Sequence, residues 1–213
     1  MLSASRSADR ANMVLGQQGI LSTDVLTPDI YDSWMRCISF GLDTRHPPPP
    51  EIVSMAVLRR EQERCSLTRG LTLAEMHSLH QQIAGSNFMI AFATPEGILL
   101  DFVSDRSFED ASGAASIRPG SVWSEEFCGT NGLGTAAHLK RQIVVHGGEH
   151  FFPRYNNLTC TASPIFAPDV HWLAYLTPRR IVFHARPTLR LWSAWRQHKL
   201  KMGCSAKPIA ATC

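Results

Sequence analysis

Apolar residues recur at helical spacing in the first part of the chain. Residues 27–29, Thr-Pro-Asp, form a helix-start signal, because the first turn of a helix has no use for the amide hydrogen that proline lacks. The apolar residues that follow share one helical face: Ile30, Trp34, Cys37 and Ile38. Gly41 predicts the end of this helix, and the prolines at 47–50 predict a stiff polyproline spacer. Two further helices are predicted over about residues 51–67 and 71–84.

The pattern changes to short apolar runs at Asn87. Phe88–Ala93 and Ile98–Val103 are joined by Thr-Pro-Glu-Gly, and together they predict an antiparallel hairpin. Residues 136–139 are predicted to be helical, and residues 142–146 and 158–165 to form two more strands. Helices followed by a meander of strands favour an α+β fold with an antiparallel sheet.

The composition is that of a folded domain. The 213 residues are 44% hydrophobic and 18% charged, which excludes a wholly disordered chain. No apolar run approaches the roughly 20 residues that span a bilayer, and the first residues do not form a secretory signal. The six cysteines lack CxxC spacing, so we interpret them as reduced thiols of a cytoplasmic protein.

Charge is distributed unevenly along the chain. Residues 170–213 contain eight Lys and Arg residues and no Asp or Glu, although the net charge of the whole chain is only +3. Three of the five tryptophans lie in the same segment. Such a shift is typical either of a basic tail that binds nucleic acid or of sequence with a different origin.

The glycine-rich segment Gly129–Gly134 is a candidate phosphate loop. A Walker motif requires Lys-Ser/Thr after its last glycine, whereas Gly134 is followed by Thr-Ala, and GxGxxG spacing is absent as well. We therefore expect these glycines to supply unusual backbone angles or close packing where a loop enters a helix.

Two other groups of residues are candidates for chemistry. Four of them resemble scattered metal ligands: His146, Glu149, His150 and Cys160. The glycines at 147 and 148 break the helix that would align both imidazoles. Cys128 and Cys160 are candidate nucleophiles, yet a free cysteine is most often a small buried hydrophobic residue. We favour structural roles and predict no metal, no cofactor and no catalytic residue.

A series of motifs in a fixed order resembles a known family. The motifs are Ser33-Trp34-Met35-Arg36-Cys37, Trp123-Ser124-Glu125, Gly129-Thr130-Asn131-Gly132-Leu133-Gly134-Thr135, Val145-His146-Gly147-Gly148-Glu149-His150-Phe151 and Leu158-Thr159-Cys160-Thr161-Ala162-Ser163-Pro164-Ile165-Phe166. They are similar to the amino-terminal sensory region of acetoin-catabolism-type regulators, which are sigma-54-dependent transcriptional activators of bacteria. The resemblance covers about residues 27–169.

The resemblance implies a GAF domain, which is a six-stranded antiparallel sheet flanked by helices, with a small-molecule pocket over one face. It also implies a homodimer that senses acetoin or another catabolite. DNA and the sigma-54 polymerase would be reached only through modules outside this chain, and no membrane is involved. The positions carried over to the pocket are Trp123, Thr130, Asn131, His146, His150 and Cys160.

We divide the chain into four segments on these grounds. They are a flexible leader (1–26), an amino-terminal helical segment with the polyproline spacer (27–70), a GAF-like sensor domain that is incomplete at its end (71–176) and a basic tail (177–213).

The resemblance ends after Asp169. The family expects Asp-Gly and then a strand resembling Leu-Ala-Gly-Val-Leu-Asp-Ala-Ser-Ser, whereas this chain continues Val-His-Trp-Leu-Ala-Tyr-Leu. With synonymous codons chosen freely, residues 170–181 can be encoded so that a shifted frame reads Thr-Leu-Ala-Gly-Val-Leu-Asp-Ala-Ser-Ser-Tyr. Restoring one G after the aspartate codon adds the expected glycine. We therefore interpret residues 170–213 as an out-of-frame tail left by a single-base deletion.

Two functions other than sensing stay open. A GAF-fold reductase of free methionine sulfoxide would use a thiolate such as Cys128 or Cys160. A module used only for dimerisation would bind no ligand. Our hypothesis is a ligand-sensing regulatory domain that is not an enzyme.

Overall fold

The computed structural model describes residues 8, 14–15, 26–83, 85, 87–106, 108, 117–165 and 171–178. These residues belong to one compact unit, Met1–Ile181. They form helices and a five-stranded antiparallel sheet, which confirms the predicted α+β class. The resemblance implied six strands, and the sheet of the described residues has five. No helix in the same part of the chain is long and apolar enough to cross a membrane.

The first helix, α1 (Pro28–Ser39), begins where the sequence predicts. Pro28 lies at its first position, and the amide of Phe40 closes the last turn by donating to the Arg36 carbonyl. The helix buries Ser33 together with three of the predicted apolar residues, Ile30, Trp34 and Cys37. The fourth, Ile38, is 37% exposed, so the buried face is narrower than the spacing predicts.

The next two helices have different boundaries from the predicted ones. Helix α2 (Met55–Arg64) begins four residues later, because residues 51–53 are extended and bond to residues 120–122, and Ser54 then caps the helix. Helix α3 (Ser66–Ile83) begins five residues earlier than predicted and follows Cys65 directly. Arg69 fixes α3 to the sheet through two hydrogen bonds to Asp101, at 2.6 and 2.8 Å.

The predicted hairpin is confirmed as β1 (Met89–Ala93) and β2 (Leu99–Ser104). Gly97 turns the chain with a φ of +85°. A Cβ atom at this position would lie 2.6 Å from the amide nitrogen of Ser124. Glycine is therefore required here both for the turn and for the approach of the segment that leads to the glycine-rich loop.

The second half of the domain places the glycine-rich loop between two helices. Helix α4 (Glu125–Cys128) was not predicted, and helix α5 (Gly132–Leu139) begins four residues earlier than predicted. Strand β3 (Ile143–His146) follows, then two short 3-10 turns, Gly147–Glu149 and Pro153–Tyr155. Strand β4 (Leu158–Ile165) has the predicted bounds, and its buried residues alternate with half-exposed ones along most of its length.

The fifth strand, β5 (His171–Pro178), lies at the centre of the sheet, whose order is β2-β1-β5-β4-β3. It pairs antiparallel with β1 on one side and with β4 on the other, and Ala174 stands opposite both Ala91 and Ala162. Without β5 the described sheet would divide into two separate strand pairs, because none of its other strands pairs with both β1 and β4. The segment interpreted as out of frame thus occupies the position at which the family strand is expected. The predicted boundary at residue 176 falls within β5, and the remainder of the tail lies outside the described residues.

We expect the melting temperature to show whether the family strand fits the centre of the sheet better than the present β5 does. Restoring the family strand, with glycine directly after Asp169, should raise the melting temperature by more than about 5 °C. The reason is that a central strand contributes to both faces of the sheet, and proline, present at residue 178, cannot donate a hydrogen bond to the strand pairing. Differential scanning calorimetry of both chains, with Pro178→Ala as the control for the proline alone, measures the effect. Equal melting curves would mean that the present segment is a working part of the fold.

Candidate functional site

The first sequence motif and the Trp123-Ser124-Glu125 motif meet in space at Glu125. Ser33 of α1 donates a hydrogen bond to its carboxylate at 2.5 Å. Arg36, one turn further along α1, binds both carboxylate oxygens, at 2.7 and 2.9 Å. The Glu125 side chain is only 6% exposed, so these bonds compensate a buried charge. The sequence places the two motifs about ninety residues apart, and the fold brings them into direct contact.

Two threonines of the glycine-rich motif extend this polar cluster. The Ser33 hydroxyl lies 2.7 Å from the hydroxyl of Thr130 and 3.3 Å from that of Thr135. Thr130 and Thr135 are fully buried. Helix α1 is therefore joined both to α4 and to the start of α5 by one hydrogen-bonded cluster.

The glycines of the loop serve close packing, as predicted. Gly129 has a φ of +64° and faces Phe151, whose Cβ atom would lie 2.6 Å from an added Cβ. An added Cβ at Gly132 would lie 2.6 Å from that of Cys160, and one at Gly134 would lie 2.7 Å from the Trp123 carbonyl. The loop is thus pressed against α4, β4 and the turn around residue 151.

Asn131 caps helix α5 and holds the loop. Its side-chain oxygen accepts from the amide of Gly134 at 2.9 Å. Its amide nitrogen donates to the carbonyls of Trp123 at 3.0 Å and of Gly129 at 2.8 Å. The Asn131 side chain thus satisfies a donor at the start of α5 and ties the loop to Trp123.

His150 and Cys160 form a buried neutral pair beneath the loop. The Gly147 carbonyl, 2.8 Å from Nδ1 of His150, can only accept, so Nδ1 carries the hydrogen. Nε2 then accepts from the Cys160 thiol at 3.1 Å. Burial lowers the pKa of His150 to about 4 and raises the pKa of Cys160 to about 12, so neither group is ionised near neutral pH.

An aromatic cluster adjoins this pair. The Trp123 ring lies 5.3 Å from that of Tyr155, and its N–H donates to the Ser121 hydroxyl at 2.9 Å. The Tyr155 hydroxyl lies 3.9 Å from the sulfur of Cys128, whose thiol donates to the Val122 carbonyl. Burial raises the pKa of the Cys128 thiol to about 11. Neither candidate nucleophile is therefore a thiolate near neutral pH, although a reductase would need one.

The candidate metal ligands are engaged in other bonds. Glu149 accepts from the His146 amide at 2.7 Å, and burial raises the pKa of this carboxyl group. The His146 ring bonds to the Thr159 hydroxyl at 2.6 Å. Among the residues that the structure describes, no three metal-ligating side chains converge. His146 and Glu149 thus take part in hydrogen bonds that fix the end of β3 and the turn after it.

The six predicted pocket residues have thus been located, and five of them are buried: Trp123, Thr130, Asn131, His150 and Cys160. His146 is half-buried at the end of β3. Their hydrogen bonds to other protein groups hold the loop together, and their contact with a ligand stays a prediction. Sequence reasoning assigned no role to Ser33, Arg36 or Glu125. The available signal was a serine on the buried face of α1, three residues after Ile30.

Comparison with known proteins places this arrangement in a family. Residues 4–181 match the family described as MimR, N-terminal domain. The acetoin catabolism regulatory protein of Cupriavidus necator is 32% identical over 143 residues, which are 67% of this chain and 21% of that protein. The propane 2-monooxygenase operon transcriptional activator MimR of Mycolicibacterium goodii is 25% identical over 166 residues, which are 78% of this chain and 27% of that protein. The chain therefore spans about a quarter of the length of these relatives.

A solved structure has the same fold. It is the crystal structure of the E. coli DhaR(N)–DhaL complex, in which a chain matches with a TM-score of 0.71 and 16% sequence identity. The match covers 86% of this chain and 68% of that chain. At this level of identity the likeness concerns the fold alone, and it supports the predicted GAF-like architecture.

Packing at the loop predicts unequal effects of two glycine substitutions. Gly132→Ala should lower the free energy of unfolding by about 1–3 kcal/mol, because its methyl group overlaps Cys160. Gly70→Ala is the matched control in α3, where an added Cβ meets no atom within 4 Å. It should leave stability unchanged or raise it by up to about 1 kcal/mol. Urea unfolding measures both, and equal losses would contradict the close packing at the loop.

Burial of His150 predicts a loss of stability in mild acid. The unfolded chain binds a proton on this histidine near pH 6.5, whereas the folded chain does so only near pH 4. Between these values the unfolded state binds more protons, so the free energy of unfolding falls as the pH falls, by at most about 3 kcal/mol from this group.

Urea unfolding between about pH 7.5 and 4.5 tests this pH dependence. His150→Gln should flatten it, whereas His138→Gln, at an exposed position on α5, should not. Parallel profiles for the wild type and His150→Gln would show that His150 is not the group responsible.

Proposed function

This chain belongs to the MimR N-terminal domain family, and from that membership we propose that it is the ligand-sensing region of a bacterial transcriptional activator of a catabolic operon. Its relatives include activators of acetoin catabolism and of a propane 2-monooxygenase operon. The activity of the whole protein rests on this proposal, because the chain spans only part of such activators.

The observation that carries the proposal is the cluster around Glu125. A sensor must convert occupancy of a site into a change elsewhere, which requires an element that both regions share. The carboxylate of Glu125 binds Ser33 and Arg36 of α1, and Ser33 also contacts Thr130 of the glycine-rich loop. A ligand that shifts the loop would therefore act directly on the hydrogen bonds that hold α1.

The effector in this proposal is a small catabolite, acetoin-like or of another kind, held near the six positions carried over from the family. Asn131 and His150 each bond to other protein groups on both of their polar ends. Binding therefore requires a second arrangement of the loop and of the turns after β3. An effector that prefers that arrangement would shift the population toward it.

The remaining parts of the proposal follow the family. The chain acts in the cytoplasm as a homodimer, and it is not an enzyme. The buried thiols support this last point, since Cys128 and Cys160 both have a raised pKa. DNA and sigma-54 polymerase are contacted by other modules of such activators. The shifted reading frame after Asp169 is also a proposal, and the nucleotide sequence around codon 169 tests it.

Ligand-dependent stabilisation tests the sensing function. The chain is titrated with acetoin, butane-2,3-dione, lactate and pyruvate while thermal unfolding is followed. At least one compound should raise the melting temperature by at least about 2 °C in a saturable manner, because a ligand that binds only the folded state stabilises it. Thr130→Val should weaken that binding by about fivefold, the effect of one lost hydrogen bond. The Gly70→Ala variant is the control and should bind as the wild type does.

A flat response to all four compounds would contradict the sensing function and favour the dimerisation-only module. Turnover of free methionine sulfoxide by the chain would favour the reductase instead.

A further inference from the structure

The polar groups of the buried site residues are already in use. Trp123 donates to Ser121, Asn131 bonds through both ends of its amide, and His150 bonds through both ring nitrogens. A ligand recognised by these groups alone would have to break bonds that the protein has already made. We therefore expect the most polar group of the ligand to bind a side chain that lies beside these residues and has hydrogen-bond donors available.

Arg154 is such a side chain. It lies in the 3-10 turn Pro153–Tyr155 and is exposed. Its guanidinium carbon is 5.2 Å from the ring centroid of Phe152 and 4.9 Å from that of Tyr155. Tyr155 in turn contacts Trp123 and His150, whose ring centroids are 5.3 and 6.3 Å away. The charge of Arg154 is thus one aromatic ring removed from the predicted pocket.

The guanidinium of Arg154 has no acidic partner among the residues that the structure describes. By contrast, Arg36 binds Glu125, Arg69 binds Asp101 and Arg141 binds Asp29. Arg154 donates to the Pro48 carbonyl through a long hydrogen bond, at 3.4 Å, and its side chain also interacts with the Tyr155 hydroxyl. The guanidinium lies over two aromatic rings, and its five N–H donors are more than these two polar interactions use.

The surroundings of Arg154 favour an anion. Tyr155, which lies against Arg154, contacts two groups that are neutral near pH 7, the Cys128 thiol and the His150 imidazole. The carboxylate of Glu149 is turned to the amide of His146. A guanidinium can bind a carboxylate through two parallel N–H···O hydrogen bonds, which an aromatic ring beside it does not replace.

We propose that Arg154 is the recognition point for the carboxylate of a small anionic effector, a short 2-hydroxy or 2-oxo acid. This inference rests on the proposed sensing function and names the chemical class of its ligand. It departs from the neutral, acetoin-like effector that the family resemblance implies. Lactate and acetoin are matched in shape, because a carboxylate replaces an acetyl group. Pyruvate and butane-2,3-dione form a second pair of this kind.

Isothermal titration calorimetry of the full chain with these four compounds tests the proposal. We expect lactate or pyruvate to bind at least about tenfold more tightly than its neutral counterpart. Arg154→Gln should weaken that binding at least about tenfold and leave the neutral compounds unaffected. Arg154→Lys should give an intermediate loss, because an ammonium keeps the charge but not the paired geometry. Arg118→Gln, another exposed arginine, is the control and should bind as the wild type does.

The outcomes separate this inference from the function on which it rests. If acetoin or butane-2,3-dione binds and neither acid does, the sensor stands and the role of Arg154 is overturned. Unchanged acid binding in Arg154→Gln overturns it as well. If inorganic phosphate binds the wild type as tightly as the acids do, Arg154 binds anions without selecting a carboxylate, and the proposal is overturned. If none of the compounds binds, both the inference and the sensing function fail.

Discussion

Glu125 carries a carboxylate that is buried in the domain, and a buried carboxylate costs several kcal/mol unless donors surround it. Ser33 and Arg36 supply those donors from α1, which lies far away in the sequence. Helix α1 therefore cannot separate from the domain without removing the donors that bind the Glu125 carboxylate. The buried face of α1 follows from the same constraint, because Trp34 and Cys37 are brought against the domain by the helix that carries Ser33.

The glycine-rich loop also contacts α1, through the hydroxyl groups of Thr130 and Ser33. It reaches Ser33 through Thr130 only because Gly129 and Gly132 allow the backbone to approach Phe151 and Cys160. Cys160 belongs to β4, which pairs with the central strand β5. One continuous set of contacts thus runs from α1 through the loop to the middle of the sheet. A ligand that moved the loop would therefore affect both α1 and the sheet, and a sensor needs such a connection between its site and other elements.

Local structure was predictable from the sequence, and long-range contacts were not. Proline at position 28, the Thr-Pro-Glu-Gly turn and the apolar alternation of β4 act over a few residues, so α1, the hairpin and β4 were found. The predicted start of α2 was wrong because residues 51–53 pair with residues 120–122. Nothing in the neighbouring sequence indicates this pairing. The contacts of Ser33 and Arg36 with Glu125 also lack a local sequence signal, so they were not predicted. The pocket positions came from motifs, and motifs do not show that Asn131 and His150 bond to other protein groups.

A double-mutant cycle between Arg36 and Glu125 tests the central claim that this buried pair joins α1 to the site. The free energy of unfolding is measured for wild type, Arg36→Gln, Glu125→Gln and the double variant. The exposed pair Arg141–Asp29 is the control, for which the coupling should be under about 0.5 kcal/mol. For Arg36 and Glu125 we expect a coupling energy of at least about 2 kcal/mol, because each single change leaves a buried group without its partner. A coupling as small as that of the control pair would contradict this account.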